Sequence, residues 1–197
     1  MRIFILLLLL GFSKITSAQT SPETKQFFHL AIGNAHTARP FSDFSSLFYR
    51  DFHPLLEAGW DEVLKNGKNH QFMVQLSLGY LFHRWVQQNL SLSLNGAYYH
   101  RIINNWSLGI KPGIGYQLSI PHGRVYKITD NGLEDKGHIL RSQFIANLGF
   151  QLDRKLNDKG TSIFMEYNQR IQTPFVREYV PLLPYNQILV GLNLPVH

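Results

Sequence analysis

Hydrophobic and polar residues alternate along much of the chain with a period of two. In residues 72–82 every second position is large and apolar, while the positions between them include Gln75, Ser77 and Gly79. The same alternation recurs in residues 90–98 and 106–120. An α-helix turns every 3.6 residues and cannot give this pattern, whereas a β-strand with two different faces does. The three segments therefore predict strands, and Pro112 within the third predicts a local bulge.

Five further segments carry a weaker copy of this alternation, which brings the predicted strands to eight. They are residues 28–32, 56–60, 140–152, 163–167 and 188–194. Three of the connections between these segments are long, namely 34–52, 121–138 and 172–183. The connections that alternate with them are short and lie near 65–69, 101–105 and 154–160. Only the connection at 84–88 is short where a long one would fit. Successive connections of an up-and-down sheet lie at opposite ends. Long loops at one end and tight turns at the other are typical of outer-membrane barrels.

The composition of the two strand faces indicates which face is inside. The polar rows contain Ser, Gly, Asn and Gln with few charges, whereas the solvated face of a soluble barrel is usually much more charged. Small polar residues fit a narrow barrel interior, and large apolar ones suit lipid. We therefore predict an all-β fold, an eight-stranded antiparallel up-and-down transmembrane β-barrel. The predicted lipid-facing residues include Leu76, Leu92 and Ile110, and the lumen-facing ones Gln75, Ser93 and Lys111. A soluble periplasmic ligand-binding barrel with the faces reversed is the alternative.

The first 18 residues, MRIFILLLLLGFSKITSA, have the three parts of an export signal. Arg2 is followed by an apolar run at 3–12 and by small residues before Gln19. That run is too short for a membrane-spanning helix, which needs about 20 apolar residues. We expect residues 1–18 to be a cleaved signal peptide and residues 19–197 to form the outer-membrane barrel domain.

Composition excludes several kinds of site. The chain has no cysteine, which rules out disulfides, a Cys-ligated zinc and a thiol nucleophile. The net charge of +6 is modest and scattered, so we expect no nucleic-acid partner.

The nine histidines show no His-x-His or His-x-x-x-His spacing. We interpret them as scattered loop and interface residues, and we expect no metal and no cofactor.

The signal ending in Ser17-Ala18-Gln19 and the segment HPLLEAG at 53–59 add to the strand pattern. Together they resemble the small eight-stranded outer-membrane β-barrels of Gram-negative bacteria, of the Bacteroidota type, over residues 25–194. One departure is the C-terminus, which ends in Pro195-Val196-His197 where such barrels often end in an aromatic residue. The resemblance implies a location in the cell outer membrane, in contact with its lipid and lipopolysaccharide and with the outer-membrane assembly machinery. We expect a monomer by default.

Charged side chains on the inward rows are the first candidate site. They are Glu57, Asp61, Lys111, Arg141, Glu166 and Arg170. A lone charge in a narrow interior is costly, so three acids and three bases predict mutual pairing. Eight strands leave room only for side chains, which favours a closed lumen over a gated or proton-conducting one.

The sequence favours a non-enzymatic structural, adhesion or accessory role through the long loops. Loop 34–52 carries Phe41, Phe44, Phe48, Tyr49 and Phe52. Aromatic residues are expected at membrane interfaces, although these could also cap the barrel mouth or contact an extracellular or envelope protein partner. The alternative is a lipid A-modifying enzyme, deacylase-like or acyltransferase-like. Its catalytic groups would be Ser45, Ser46, Asp51 and His53, but the His-x-Ser-Asn motif of the deacylases does not occur.

Overall fold

The computed structural model describes residues 25–123, 126–129, 132–135, 137, 140–175 and 180–196, so the predicted signal peptide lies outside the described residues. The elements are β1 (Gln26–Thr37), α1 (Ser46–Tyr49), β2 (Pro54–Asn66), β3 (His70–His83), β4 (Gln87–Ile103), β5 (Trp106–Pro121), β6 (Tyr126–Thr129), β7 (Gly132–Asp135), β8 (Arg141–Lys155), β9 (Ser162–Thr173) and β10 (Leu183–Val196). In this part of the chain, no helix is long and apolar enough to cross a membrane.

Eight of the strands form one closed barrel in the order β1-β10-β9-β8-β5-β4-β3-β2. Every pairing is antiparallel, and β1 closes the barrel by pairing with both β2 and β10. The predicted eight-stranded up-and-down barrel is confirmed. Strands β6 and β7 form a separate two-stranded sheet within the connection from β5 to β8, which the alternation did not predict.

Long connections lie at one end of the barrel, which we call the loop end. This end holds connections 38–53, 122–140 and 174–182 together with the tight turn 84–86. The opposite end, the turn end, holds the turns 67–69, 104–105 and 156–161. The predicted alternation of long and short connections is therefore present, with 84–86 as the exception.

The predicted bulge at Pro112 is wrong. The register between β4 and β5 is the same before and after this residue, because Asn95 pairs with Gly113 and Tyr98 with Ile110. On its other side Pro112 pairs with Leu148 in an unbroken register. Two bulges do occur near the turn end, between Val63 and Lys65 and between Arg101 and Ile103. Proline has no backbone N–H to donate, and the pairs Gly96–Pro112 and Ala97–Lys111 do not form in the β4–β5 ladder, whereas the pairing with β8 continues without a break.

The two strand faces point as predicted. The side chains of Leu76, Leu92 and Ile110 are 40–51% exposed, while Gln75, Ser93 and Lys111 are at most 4% exposed. The apolar rows therefore lie outside and the polar rows inside, which contradicts a soluble barrel with reversed faces. Apolar side chains enter the interior in two small clusters. One includes Leu55, Leu81, Tyr185 and Leu189, and the other consists of Val63, Met73, Ala97 and Tyr99.

Candidate functional site

The barrel interior contains a cluster of buried charges at mid-height. Lys111 on β5 and Glu166 on β9 form an ion pair with 2.6 Å between Nζ and Oε2, and both side chains are at most 4% exposed. The pair thus links two strands that are not hydrogen-bonded to each other, because β8 lies between them in the barrel wall. A charge-assisted hydrogen bond of this length is strong, and water has little access to screen it.

His29 on β1 is the residue that sequence reasoning missed. Its Nδ1 lies 2.8 Å from Oδ1 of Asp61, and its Nε2 lies 3.6 Å from Oε1 of Glu57. Because both ring nitrogens face a carboxylate, the geometry suits an imidazolium that donates on both sides. His29 belongs to the inward row of β1, but a count of formal charges at neutral pH leaves histidine out.

Arg170 completes the cluster, and among the described residues it forms no direct ion pair. Its Nε donates to Oδ1 of Asn147 at 3.0 Å, and one terminal nitrogen donates to Oγ of Ser91 at 3.2 Å. The side chain is 1% exposed, and the charges of Glu57 and Glu166 act on it through space. Neutral hydrogen-bond partners therefore hold the guanidinium in place, while the neighbouring carboxylates balance its charge.

Arg141 lies apart from the other five predicted charges. It is the first residue of β8, at the loop end, and its side chain is half-buried. Its guanidinium donates to the carbonyl oxygen of Phe175 at 3.3 Å and lies 5.9 Å from that ring's centroid. The structure thus gathers Glu57, Asp61, Lys111, Glu166 and Arg170, with His29 as the third base in place of Arg141.

Glutamine side chains fill the barrel between this cluster and the loop end. Nε2 of Gln117 donates to Oε1 of Gln172 at 2.7 Å and to Oε1 of Gln143 at 3.0 Å, and Nε2 of Gln87 donates to Oε1 of Gln172 at 2.8 Å. All four are fully buried. We call these residues the amide layer. Such a hydrogen-bonded layer occupies the cross-section with groups that carry no charge.

A cavity of about 890 Å³ lies on the other side of the charge cluster, at the turn end. Tyr99, Met73 and Gln75 line its inner part, and Lys25 and Lys159 lie at its rim. The interior is therefore filled toward the loop end and open toward the turn end.

Histidines converge at the loop end, which corrects the interpretation that they are scattered. The rings of His53 and His83 stack with centroids 3.7 Å apart, and the ring of His36 lies 6.0 and 6.4 Å from them. His53 and His83 are at most 3% exposed, and within the described residues none of their ring nitrogens has a hydrogen-bond partner. Burial and the nearby positive groups lower the pKa of His53, so its ring is neutral at neutral pH. The described residues include no group of three or more His, Asp or Glu side chains placed to hold a metal ion.

The residues suggested for a catalytic triad do not converge. Oγ of Ser46 donates to the backbone oxygen of Asp43, and Oδ2 of Asp51 accepts from the indole nitrogen of Trp85. The ring of His53 stacks on His83 and, among the described residues, hydrogen-bonds to neither a serine nor an acid. A serine hydrolase needs its base within hydrogen-bond reach of the nucleophile. Loop 38–53 therefore shows no acyl-transfer geometry.

The closed, up-and-down, eight-stranded barrel places the chain's fold with the outer-membrane barrels of Gram-negative bacteria. Among solved structures, Ail, the attachment invasion locus protein of Yersinia pestis, is similar with a TM-score of 0.50 and 9% identity, over 89% of this chain and 100% of that one. Ail in complex with the heparin analogue sucrose octasulfate gives a TM-score of 0.51 with the same identity and coverage. No family model matches the chain, and no curated protein is similar to it in sequence. At this identity the likeness shows the fold alone.

Proposed function

We propose that the chain is a non-enzymatic protein of the cell outer membrane, exported by the cleaved signal at 1–18 and monomeric in the bilayer. The observation that carries this is the outer surface of the barrel. Leu78, Leu92, Leu108 and Ile114 are 51–69% exposed, a surface that would aggregate in water but suits acyl chains. Aromatic residues suited to the two interfaces are also exposed, among them Trp60, Tyr80, Trp106 and Tyr116.

The lumen is closed in this proposal. The ion pair of Lys111 and Glu166 lies buried inside the barrel, and the amide layer fills the section between it and the loop end. A conducting path needs continuous water, whereas these side chains hydrogen-bond to one another at 2.6–3.0 Å. We therefore assign the charge cluster a structural role in linking barrel strands that are not neighbours in the wall.

With a closed lumen, the parts available for interaction are at the loop end. Connections 38–53, 122–140 and 174–182 would face the cell exterior and support a structural, adhesion or accessory role, including contact with an envelope or extracellular protein. The assembly machinery and the outer-membrane lipid, including lipopolysaccharide, are the partners that insertion itself requires.

Cell fractionation followed by detergent extraction tests the location. The protein should pellet with outer membranes and dissolve only in detergent, and recovery in the soluble periplasmic fraction would refute the proposal. Purified protein in planar bilayers tests the lumen. We expect no sustained conductance, and stable ion-selective openings that Glu166→Gln abolishes would make the chain a channel.

A further inference from the structure

Three polar residues occupy outward-facing positions near the loop end but are buried. Asn34, Gln169 and Asn186 lie in the outward rows of β1, β9 and β10 and are at most 6% exposed. The strand register agrees with this outward orientation, since Gln169 pairs with Asn186 on one side and with the outward-facing Leu148 on the other. Ile32, two positions before Asn34 in the same row, is 57% exposed. Another segment must therefore cover these three residues, which we call the outer-wall strip.

The covering segment is connection 38–53, which folds down over the outside of the barrel. Its backbone binds all three amides. Asn34 is bound twice: its Nδ2 donates to the backbone oxygen of Leu47 at 2.8 Å, and its Oδ1 accepts from the backbone nitrogen of His53 at 2.8 Å. Oε1 of Gln169 accepts from the backbone nitrogen of Phe41 at 3.1 Å. Nδ2 of Asn186 donates to the backbone oxygen of Ser42 at 2.5 Å. Helix α1 packs Ser46 and Leu47 against the wall, where they are 2% and 3% exposed.

The other side of the same segment exposes four phenylalanines beside the ion pair of Arg50 and Asp43. Phe41, Phe44, Phe48 and Phe52 are 51–62% exposed, and we call them the aromatic face. The ring of Phe44 lies 5.5 Å from that of Phe48 and 5.3 Å from that of Tyr167. Tyr167 belongs to the outward row of β9, two positions after the exposed Met165. The aromatic face is therefore continuous with the apolar outer surface of the barrel.

We propose that the aromatic face is a lipid-binding surface, and that connection 38–53 is a clamp that seals the outer-wall strip from lipid and inserts its phenylalanines into the outer leaflet. The inference rests on the proposed outer-membrane location. Uncovered, the amides of the strip would meet the bilayer without hydrogen-bond partners, which is costly. Four exposed phenylalanines are unfavourable in water but are typical of segments that lie at the boundary between headgroups and acyl chains. Continuity with the barrel's apolar surface selects lipid as the occupant over a protein.

Spin labelling tests this, because the chain has no cysteine to interfere. Single variants Phe48→Cys, Leu92→Cys and Lys68→Cys are labelled and reconstituted into vesicles of phosphatidylethanolamine and phosphatidylglycerol. Leu92 is the reference for the barrel's apolar surface, and the exposed Lys68 in a turn is the reference for water. Collision rates with oxygen and with a water-soluble nickel chelate are then measured. We expect the label at 48 to match the label at 92, with oxygen favoured and nickel excluded several-fold relative to the label at 68.

The outcomes separate the two proposals. If the label at 92 is lipid-like but the label at 48 is as open to nickel as the label at 68, the clamp is wrong and the aromatic face is free for a protein partner. If the label at 92 is also open to nickel, the outer-membrane location is wrong.

A second variant tests the role of the strip. Asn186→Leu removes the bond to the carbonyl oxygen of Ser42. We expect the label at 48 to become more mobile and more open to nickel in this background, while the label at 92 stays unchanged. An unchanged label at 48 would show that the strip does not hold the clamp.

Discussion

Lys111→Met is the most informative test of the charge cluster. The substitution removes the ammonium group 2.6 Å from Oε2 of Glu166 and leaves that carboxylate buried. Removing one partner of a buried ion pair typically costs about 3–5 kcal/mol. Arg170 lies in the same cluster and compensates part of the unpaired charge of Glu166, so we expect a loss in the free energy of unfolding of about 3 kcal/mol for Lys111→Met. Glu166→Gln leaves Lys111 with Glu57 as its nearest balancing charge, and we expect a loss of similar size.

The double variant Lys111→Met/Glu166→Met distinguishes pairing from mere packing. An apolar pair of similar volume is often as stable as the buried ion pair it replaces. We therefore expect the double variant to be more stable than either single variant, with a coupling energy of at least about 3 kcal/mol. Equilibrium unfolding in guanidinium, followed by tryptophan fluorescence in lipid vesicles, measures each free energy. The control is Lys155→Met, since Lys155 is exposed and lies 3.8 Å from the exposed Asp158, and we expect no measurable change. Additive effects of the two interior substitutions would show that the charges are solvated and would refute the proposed role of the pair.

Three further predictions follow from the same structure. Leu92→Arg places a charge on the lipid side near mid-height and should cost about 2–4 kcal/mol in vesicle unfolding, whereas Ser93→Thr should change little. Protease added to intact cells should cut within 122–140 and spare 67–69, and cleavage at the turns alone would reverse the topology. The pKa of His53 is lower in the folded chain than in the unfolded one, so the unfolded chain binds the proton more readily. The free energy of unfolding should therefore be highest above about pH 6.5 and should decrease as the pH falls below that value. The protection of 38–53 against hydrogen exchange, corrected for the intrinsic rate at each pH, should fall between pH 7 and pH 5, and His53→Phe should remove much of that fall.

Strands and faces could be predicted because the period of two is a local property. The burial of Gln75 and the exposure of Leu76 follow from alternation alone. Alternation does not set the depth of a side chain along the barrel axis. Arg141 shares the inward row, but it begins its strand at the rim and extends to Phe175 instead of to the cluster. His29 was missed for a different reason, because a residue that is neutral by default does not enter a count of charges.

The histidine cluster could not be found from spacing within the sequence. His36, His53 and His83 come from β1, connection 38–53 and the end of β3, and only barrel closure brings them together. Sequence motifs for metal and catalytic sites assume a helix or a single loop. A barrel instead brings together residues of different strands that lie at equal height, that is, at the same level along the barrel axis. Equal height requires the register, which alternation leaves undetermined by multiples of two residues.

The outer-wall strip shows where a sequence signal existed but was ambiguous. Asn34 follows Phe28, Leu30 and Ile32 in one outward row, and the change to a polar residue is what the end of a lipid-facing band looks like. The strand continues to Thr37, however, and Asn34 is buried. A polar residue in an outward row has two physical explanations, water or a covering segment, and the neighbouring sequence separates them. The next connection contains five aromatic residues, which is more than a solvated loop requires. The polar and the aromatic positions together indicate one amphipathic clamp, with the barrel wall on one side and lipid on the other.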